Sequence, residues 1–548
     1  MRVYGKTTAI VALSAGVVCL LVYLRALSCG FVNLDDPDYV LNNPLIRQLD
    51  GNLFRAAFTQ AHVGWWMPLT WISLAVDYHF WGLDPVGYHL TNILLHAANT
   101  GLVVIIADRL YQYALPESVR MGSHRFLYPV TLLLAGLLFG LHPLRVESVA
   151  WVTERKDVLN GLFSLGAIVC YLRYAEERAR GGAGAVRLYM ASLGLFICSL
   201  MAKSVSVVLP AMLLVLDWYP LGRWRQNAAR QLLGEKLPFL VLSLLMSVAT
   251  LYFTAQTRYL VSYDIFPFMQ RLVVSGTAIF EYCRLLLVPA GIIPLFMIPD
   301  PIPTAYTVKA IAAGIICIGI YFGRKHAWLP ATWLAFVLPL LPVLAFFQNG
   351  DQAYAARFTY LPSLGASITA AGLLAVGYGR LAALSRWWGG LVVTAILALL
   401  VWYAGTTLRL IAVWDNPGTL WSRVIAFEPR AQAYKERGVY HYNAGDHGAA
   451  VADFTEAISH VTNVWQPYAY NLYAHRGEAL RAAGRYDEAV RDFTEAIELY
   501  PHPSYYYYRG LSLQALGRKQ DAAEDFRRAG PAPGSIDWYW DARQDSRK

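Results

Sequence analysis

The chain has 548 residues, 56% hydrophobic and only 15% charged, with a mean hydropathy of +0.37. Soluble chains carry about 25% charged residues, so a soluble globular enzyme is excluded as a description of the whole chain. The 75 aromatic residues (17 Trp, 35 Tyr, 23 Phe) exclude disorder. A net charge of +9 would suit a nucleic-acid partner, but the positive residues sit in short clusters between apolar runs: Arg223, Arg225, Arg230 and Lys236; Arg324 and Lys325; Arg380 and Arg386. That is the pattern of cytoplasmic loops under the positive-inside rule, and nucleic acid is rejected. Residues 431–548 hold 30 of the 83 charged residues, so the chain divides into a long membrane part and a short soluble part.

In chain order, apolar stretches long enough to span a bilayer fall near 8–27, 86–107, 126–143, 157–174, 187–202, 204–220, 237–255, 307–323, 328–347, 361–379 and 388–410. The first resembles a signal peptide, but it is long and lacks a clear small-residue cleavage site, so it reads as a retained anchor. With the N-terminus inside, loop 28–85 lies outside. The basic loop 108–125 (Arg109, Arg120, Arg125) lies inside, loop 144–156 outside, and the basic stretches 175–187 and 221–236 inside. The segment 271–292 breaks this parity if it spans, so it is read as interfacial or re-entrant. Eleven spans then put the C-terminal part on the non-cytoplasmic side. Of six cysteines, Cys19, Cys170, Cys198 and Cys317 lie in apolar runs, and Cys29 and Cys283 have no compelling reason to pair.

The soluble part repeats. Gly438, Gly477 and Gly510 are 39 and 33 residues apart, and three further columns keep that register: Gly445, Gly484, Gly517; Phe454, Phe493, Phe526; Ala457, Ala496, Ala529. The pattern resembles the tetratricopeptide repeat, with about five extra residues within 461–467 of the first copy. Three such repeats make a short superhelix, which either only packs or offers a polypeptide-binding groove. The run Tyr505–Tyr508 either lines that groove or forms one helix buried on both faces.

Ionisable residues at span ends are costly and read as functional candidates. The adjacent carboxylates Asp35 and Asp36 follow the first span; one suits a general base and the other an orienting partner, against a plain Asp-Pro turn. The second outside loop crowds His142, Arg145, Glu147, Glu154, Arg155, Lys156 and Asp157 into sixteen residues. Such an outside loop wants an anionic partner such as a lipid phosphate, or forms a self-neutralised network. Lys203 stands alone between apolar runs, as a snorkelling anchor or as a ligand-binding cation. Arg357 is also outside, and His89, Asn92 and His96 share one helical face. There is no zinc spacing, no P-loop and no dinucleotide fingerprint.

Several motifs stand together in the order of one family. They are Asp35-Asp36; Tyr88 to His96; His142-Pro143 with Glu147; Arg155 with Asp157; Lys203; Ala356 to Pro362; and the Trp414-Asp415-Asn416 segment. In these the chain resembles the transmembrane and tetratricopeptide-repeat O-mannosyltransferases and their bacterial relatives. The resemblance implies an all-α chain. Residues 1–413 would form a C-type glycosyltransferase-like membrane domain of about eleven spans plus the helix near 271–292. A linker helix at 414–430, three repeats at 431–530 and a polar tail at 531–548 would follow.

The resemblance also implies a polyprenyl-phosphate-linked sugar as donor and an inverting transfer to a Ser or Thr hydroxyl on the lumenal or periplasmic face. Asp35 and Asp36 would be catalytic, and Arg155, Lys156, Lys203 and Arg357 would face the donor phosphate. His89, His96, His142, Glu147, Asp157 and Tyr360 are further pocket candidates. No cofactor is required, and a divalent metal is compatible without being indicated. The expected partners are the lipid-linked sugar, membrane lipids and an acceptor polypeptide held by the repeats. The short array favours a bacterial inner membrane over the endoplasmic reticulum. The rival reading is a non-enzymatic scaffold or transporter whose repeats recruit a partner, although no internal transmembrane repeat supports a transporter.

Overall fold

A computed structural model describes residues 3–121, 126–226, 229–255, 263, 266–347, 352–461 and 469–531. Arg125, most of the insertion expected in the first repeat, and the polar tail beyond Pro531 lie outside the described residues. The chain forms two compact units, residues 1–414 and 415–548.

In the first unit, eight described helices are long and apolar enough to cross a membrane: Gly5–Ser28, Pro85–Ala114, Val152–Ala179, Ala185–Ala202, Ala229–Ala255, Thr304–Phe322, Ser363–Leu384 and Arg386–Trp414. A bent pair, Leu127–Gly140 and Pro143–Ala150, meets at 49°, and the apolar helices Ser204–Trp218 and Trp328–Val343 are shorter. The segment expected near 271–292 is the helix Phe268–Leu287, which packs on Thr304–Phe322. Small residues let the backbones of the first two spans touch. A Cβ on Gly16 would lie 2.9 Å from the Ala97 carbonyl oxygen, and one on Gly101 would lie 3.3 Å from that of Ala12.

The loop 28–85 is itself folded. Asp50 caps the helix Gly51–Thr59 by accepting from the backbone N–H groups of Asn52 and Leu53. That helix and Pro68–Trp81 enclose a core of Tyr39, Ile46, Leu53, Met67, Trp71 and Tyr88. The basic stretch 221–236 is less free than its sequence suggests: Arg223 and Lys236 are buried against Asp217, and Arg223 also holds Glu235. All six cysteines are free thiols.

The second unit is a solenoid of three helix pairs, Ala431–Asn443 with His447–Ser459, Ala469–Ala482 with Tyr486–Leu499, and Pro503–Ala515 with Lys519–Ala529. The glycine columns have two different causes. Gly445, Gly484 and Gly517 turn each pair with φ of +81°, +76° and +78°. Gly438, Gly477 and Gly510 lie under the rings of Phe454, Phe493 and Phe526, where a Cβ would come within 2.8, 3.2 and 2.8 Å.

A further column escaped the sequence reading. Arg437, Arg476 and Arg509 each clamp the aspartate 16 residues on (Asp453, Asp492, Asp525) through two hydrogen bonds. Each also donates to a hydroxyl of the preceding helix: Ser422, Thr455 and Thr494. The helix Pro417–Phe427 therefore packs as the second half of a truncated repeat, where the sequence suggested a linker. In the tyrosine run Tyr505 is buried against Tyr470, while Tyr506, Tyr507 and Tyr508 are half-buried, beneath Arg509 and Arg528, against Phe526 and against Phe493.

Candidate active site

The site grows from the turn after the first span. Asp36 is fully buried. Its Oδ2 accepts from the Val32 N–H at 2.9 Å; its Oδ1 accepts from Trp151 Nε1 at 3.0 Å, from the Thr153 N–H at 3.2 Å and from the Thr153 hydroxyl. Burial pushes the Asp36 carboxyl up to about 6 against the pull of these donors. Its acceptor positions are taken, and it fastens the post-span turn to the 151–153 turn. Asp35 faces the other way. Its side chain is 48% exposed and meets Lys156 Nζ at 3.5 Å.

From Lys156 a chain of ion pairs runs inward. Lys156 Nζ lies 3.2 Å from Glu154 and above the rings of Tyr39 and Trp151. Glu154 also meets Lys203 at 3.4 Å and Arg357 at 3.3 Å. Lys203 pairs further with Asp157, and Arg357 with Glu147 and with Gln352 Oε1, the last at 2.6 Å. Burial works against the Arg357 charge, but Glu147 and Glu154 beside it more than offset this and hold the guanidinium pKa above its ordinary value. Its segment is fixed by a short antiparallel pairing of Phe296–Met297 with Gln352–Tyr354. The backbone at Lys203 is fixed by Asn160, whose amide donates to the carbonyls of Ser199 and Lys203 and to the Ser206 hydroxyl.

Lys203 and Arg357 open onto a narrow cleft with room for about one water molecule, lined also by Asp157, Asn160, Tyr360 and the apolar Val205, Pro339, Phe358, Leu361 and Pro362. Two cations at an apolar-walled cleft suit an anionic head group with a hydrocarbon tail. A second, small crevice lies beside Glu147 and is otherwise apolar, with Ile292, Ile293, Leu410 and Trp414 in its wall.

Four candidates belong elsewhere. Arg155 is fully buried and occupied: it pairs with Asp77 at 2.5 Å and donates to Asn92, Ser73 and the Tyr88 carbonyl, so it has no face toward the cleft. His96 joins Tyr360 at 2.7 Å and the Gly140 carbonyl at 3.0 Å, and stiffens the wall behind the cleft. His142 caps the break between the bent helices through the Leu144 N–H. His89 is fully buried, against the backbone of Cys29 and Gly30 at the end of the first span. All four side chains are buried, and none stands in the cleft wall.

Sequence reasoning placed Glu154 only as one member of the crowded 142–157 loop, in a self-neutralised network or beside an anionic partner, and assigned no role to Asp77 or Asn160. The signal was present for the last two, as polar residues inside apolar runs. Among the described residues, no group of three or more His, Cys, Asp or Glu side chains is placed to hold a metal ion.

Comparison with known proteins extends this picture. The tetratricopeptide repeat family model matches residues 476–536. Protein O-mannosyl-transferase tmtc2 of Xenopus laevis is 31% identical over 215 residues, 38% of this chain and 24% of the relative. Protein O-mannosyl-transferase Tmtc3 of Drosophila melanogaster is 24% identical over 520 residues, 81% of this chain and 54% of the relative. Protein O-mannosyl-transferase TMTC4 of Homo sapiens is 28% identical over 226 residues, 39% of this chain and 30% of the relative. The chain thus spans about a quarter to a half of the length of these relatives. It is a polytopic helical membrane protein with C-terminal tetratricopeptide repeats, and its curated homologues are protein O-mannosyl-transferases.

Proposed function

We propose that the chain transfers a sugar from a polyprenyl-phosphate donor to a Ser or Thr hydroxyl of a polypeptide, with inversion, on the non-cytoplasmic face of its membrane. The observation that carries this reading is the arrangement of one half-exposed carboxylate, Asp35, linked through Lys156 and Glu154 to two cations at an apolar-walled cleft. The acceptor oxygen attacks the anomeric carbon, and its proton passes to Asp35. The bond from that carbon to the phosphate oxygen breaks, and Lys203 and Arg357 stabilise the charge that develops on the phosphate. Removing one such cation costs a few kcal/mol of barrier, on the scale of about 3 kcal/mol for a lost oxyanion donor.

The sidedness rests on charge. Arg109 with Glu176, and Arg178 and Arg223 with Glu235, gather at span ends remote in sequence from the Asp35 turn, as basic cytoplasmic ends do. The first unit ends at Trp414, stacked on Trp151 with ring centres 5.5 Å apart, which is the end that carries Asp36 and Lys156. The repeats would then hold the acceptor polypeptide on the same side. The test is transfer from a radiolabelled polyprenyl-phosphate mannose to a Ser/Thr-rich polypeptide by the purified full chain. A labelled product, lost in Lys203→Ala and Arg357→Ala, is expected. Absence of transfer from this and other polyprenyl-phosphate sugars, with the protein folded, would leave the scaffold reading.

A further inference from the structure

Glu154 is a buried carboxylate on which three cations from three separate segments converge. Lys156 follows it on the Val152–Ala179 helix, Lys203 ends Ala185–Ala202, and Arg357 follows the strand Gln352–Tyr354. Its side chain is 1% exposed. The cleft that Lys203 and Arg357 line does not include Glu154 or Lys156 in its wall. A ligand in the cleft therefore meets the two cations from one side, while Glu154 holds them from behind. Without a central carboxylate, three cations drawn from different elements would repel one another in a medium of low polarity.

Each cation also has its own second carboxylate: Asp35 for Lys156, Asp157 for Lys203 and Glu147 for Arg357. Removing Glu154 therefore leaves each of them paired, but with no shared centre. We infer that Glu154 is the positioning residue for donor recognition: it sets the spacing of Lys203 and Arg357 to match one phosphate group, and through Lys156 it ties that spacing to Asp35. The inference rests on the proposed lipid-phosphate donor. Glu154 itself touches no substrate.

The test is binding of a polyprenyl monophosphate, without sugar, to the full chain in detergent, followed by intrinsic tryptophan fluorescence. It is measured beside thermal stability for the parent, Glu154→Gln and Glu154→Asp. With the shared centre gone, Glu154→Gln should bind at least about tenfold more weakly than the parent, which corresponds to about 1.4 kcal/mol. Glu154→Asp keeps the charge but draws it back by one methylene, and should fall between the two. In transfer assays, KM for the donor should rise while KM for the acceptor stays at the parent value.

Parent-like lipid-phosphate affinity in folded Glu154→Gln overturns the inference. If Glu154→Gln does not fold, Glu154→Asp decides: weakened binding at parent stability supports the inference, and unchanged binding overturns it in favour of a purely structural carboxylate. A parent protein that binds no polyprenyl monophosphate contradicts the proposed function itself, which is a separable result.

Discussion

Asp35 and Asp36 are neighbours with opposite surroundings, and this separates two roles that their sequence leaves interchangeable. Asp36 has a folded-state pKa of about 6 against an ordinary 3.8. Its raised value means that the folded protein binds the proton more tightly than the unfolded chain. The stability it contributes is therefore full below about pH 4 and is lost as pH rises through 6. Asn in its place does not titrate, so the melting-temperature gap between parent and Asp36→Asn should be widest near pH 4 and narrow toward pH 7. A constant gap would contradict the buried, uphill ionisation. Arg155 gives a second residue-scale expectation. Arg155→Ala strands Asp77 in the interior, and breaking a buried pair costs about 3–5 kcal/mol, so it should lower folded yield and melting temperature. Arg357→Ala should lower donor use first. A well-folded Arg155→Ala with impaired donor binding would restore Arg155 to the phosphate site.

At the scale of elements, what was legible depended on whether a residue's neighbours were close in sequence. The glycine, phenylalanine and alanine columns were visible because a solenoid repeats its local contacts. The Arg–Asp clamp repeats equally but hides among ordinary surface charges, since 16-residue spacing has no helical meaning. The 151–157 segment was recognised as crowded, yet nothing in its sequence told which cations face outward; that depends on Asp77, Lys203 and Arg357, which lie 46 to 203 residues in chain order from their partners in the segment.

Close helix packing gives an element-scale expectation. A Cβ at Gly161 would stand 2.7 Å from the Tyr360 ring and 2.9 Å from Asn99. Gly161→Ala should push Tyr360 from its bonds to His96 and Asn99 and destabilise the protein by about 1–3 kcal/mol, as overpacking does. Gly234→Ala, with nothing within 4 Å of its Cβ, serves as the neutral control. Equal melting temperatures for the two variants would refute the tight wall.

For the whole molecule, hydropathy and loop charge were sufficient to locate apolar helices, but not to show how they are used. The turn at 28–85, which sequence presents as a loop, is a folded layer whose core includes Tyr88 and Val152. The break at His142-Pro143 splits one apolar run into a bent pair. Parity predicts that a reporter fused after Lys548 reads non-cytoplasmic, and that cysteine reagents excluded from the cytoplasm label a cysteine placed in the repeats. A cytoplasmic readout would mean an even number of crossings, through Phe268–Leu287 crossing or through the bent pair or one of the two shorter apolar helices not crossing, and would separate the array from an acceptor meeting Asp35.

The most direct measurement is the single-turnover rate of sugar transfer from a polyprenyl-phosphate donor by purified Asp35→Asn, beside the parent and Asp36→Asn. Asn keeps the size of Asp35 but cannot take the acceptor proton, and general-base assistance is worth about 10²–10⁴ in rate. Asp35→Asn should lose transfer by a factor in that range while still binding polyprenyl monophosphate, and folded Asp36→Asn should lose less. A parent-like rate in Asp35→Asn would show that Asp35 is only a surface carboxylate paired with Lys156, and would contradict its assignment as the base.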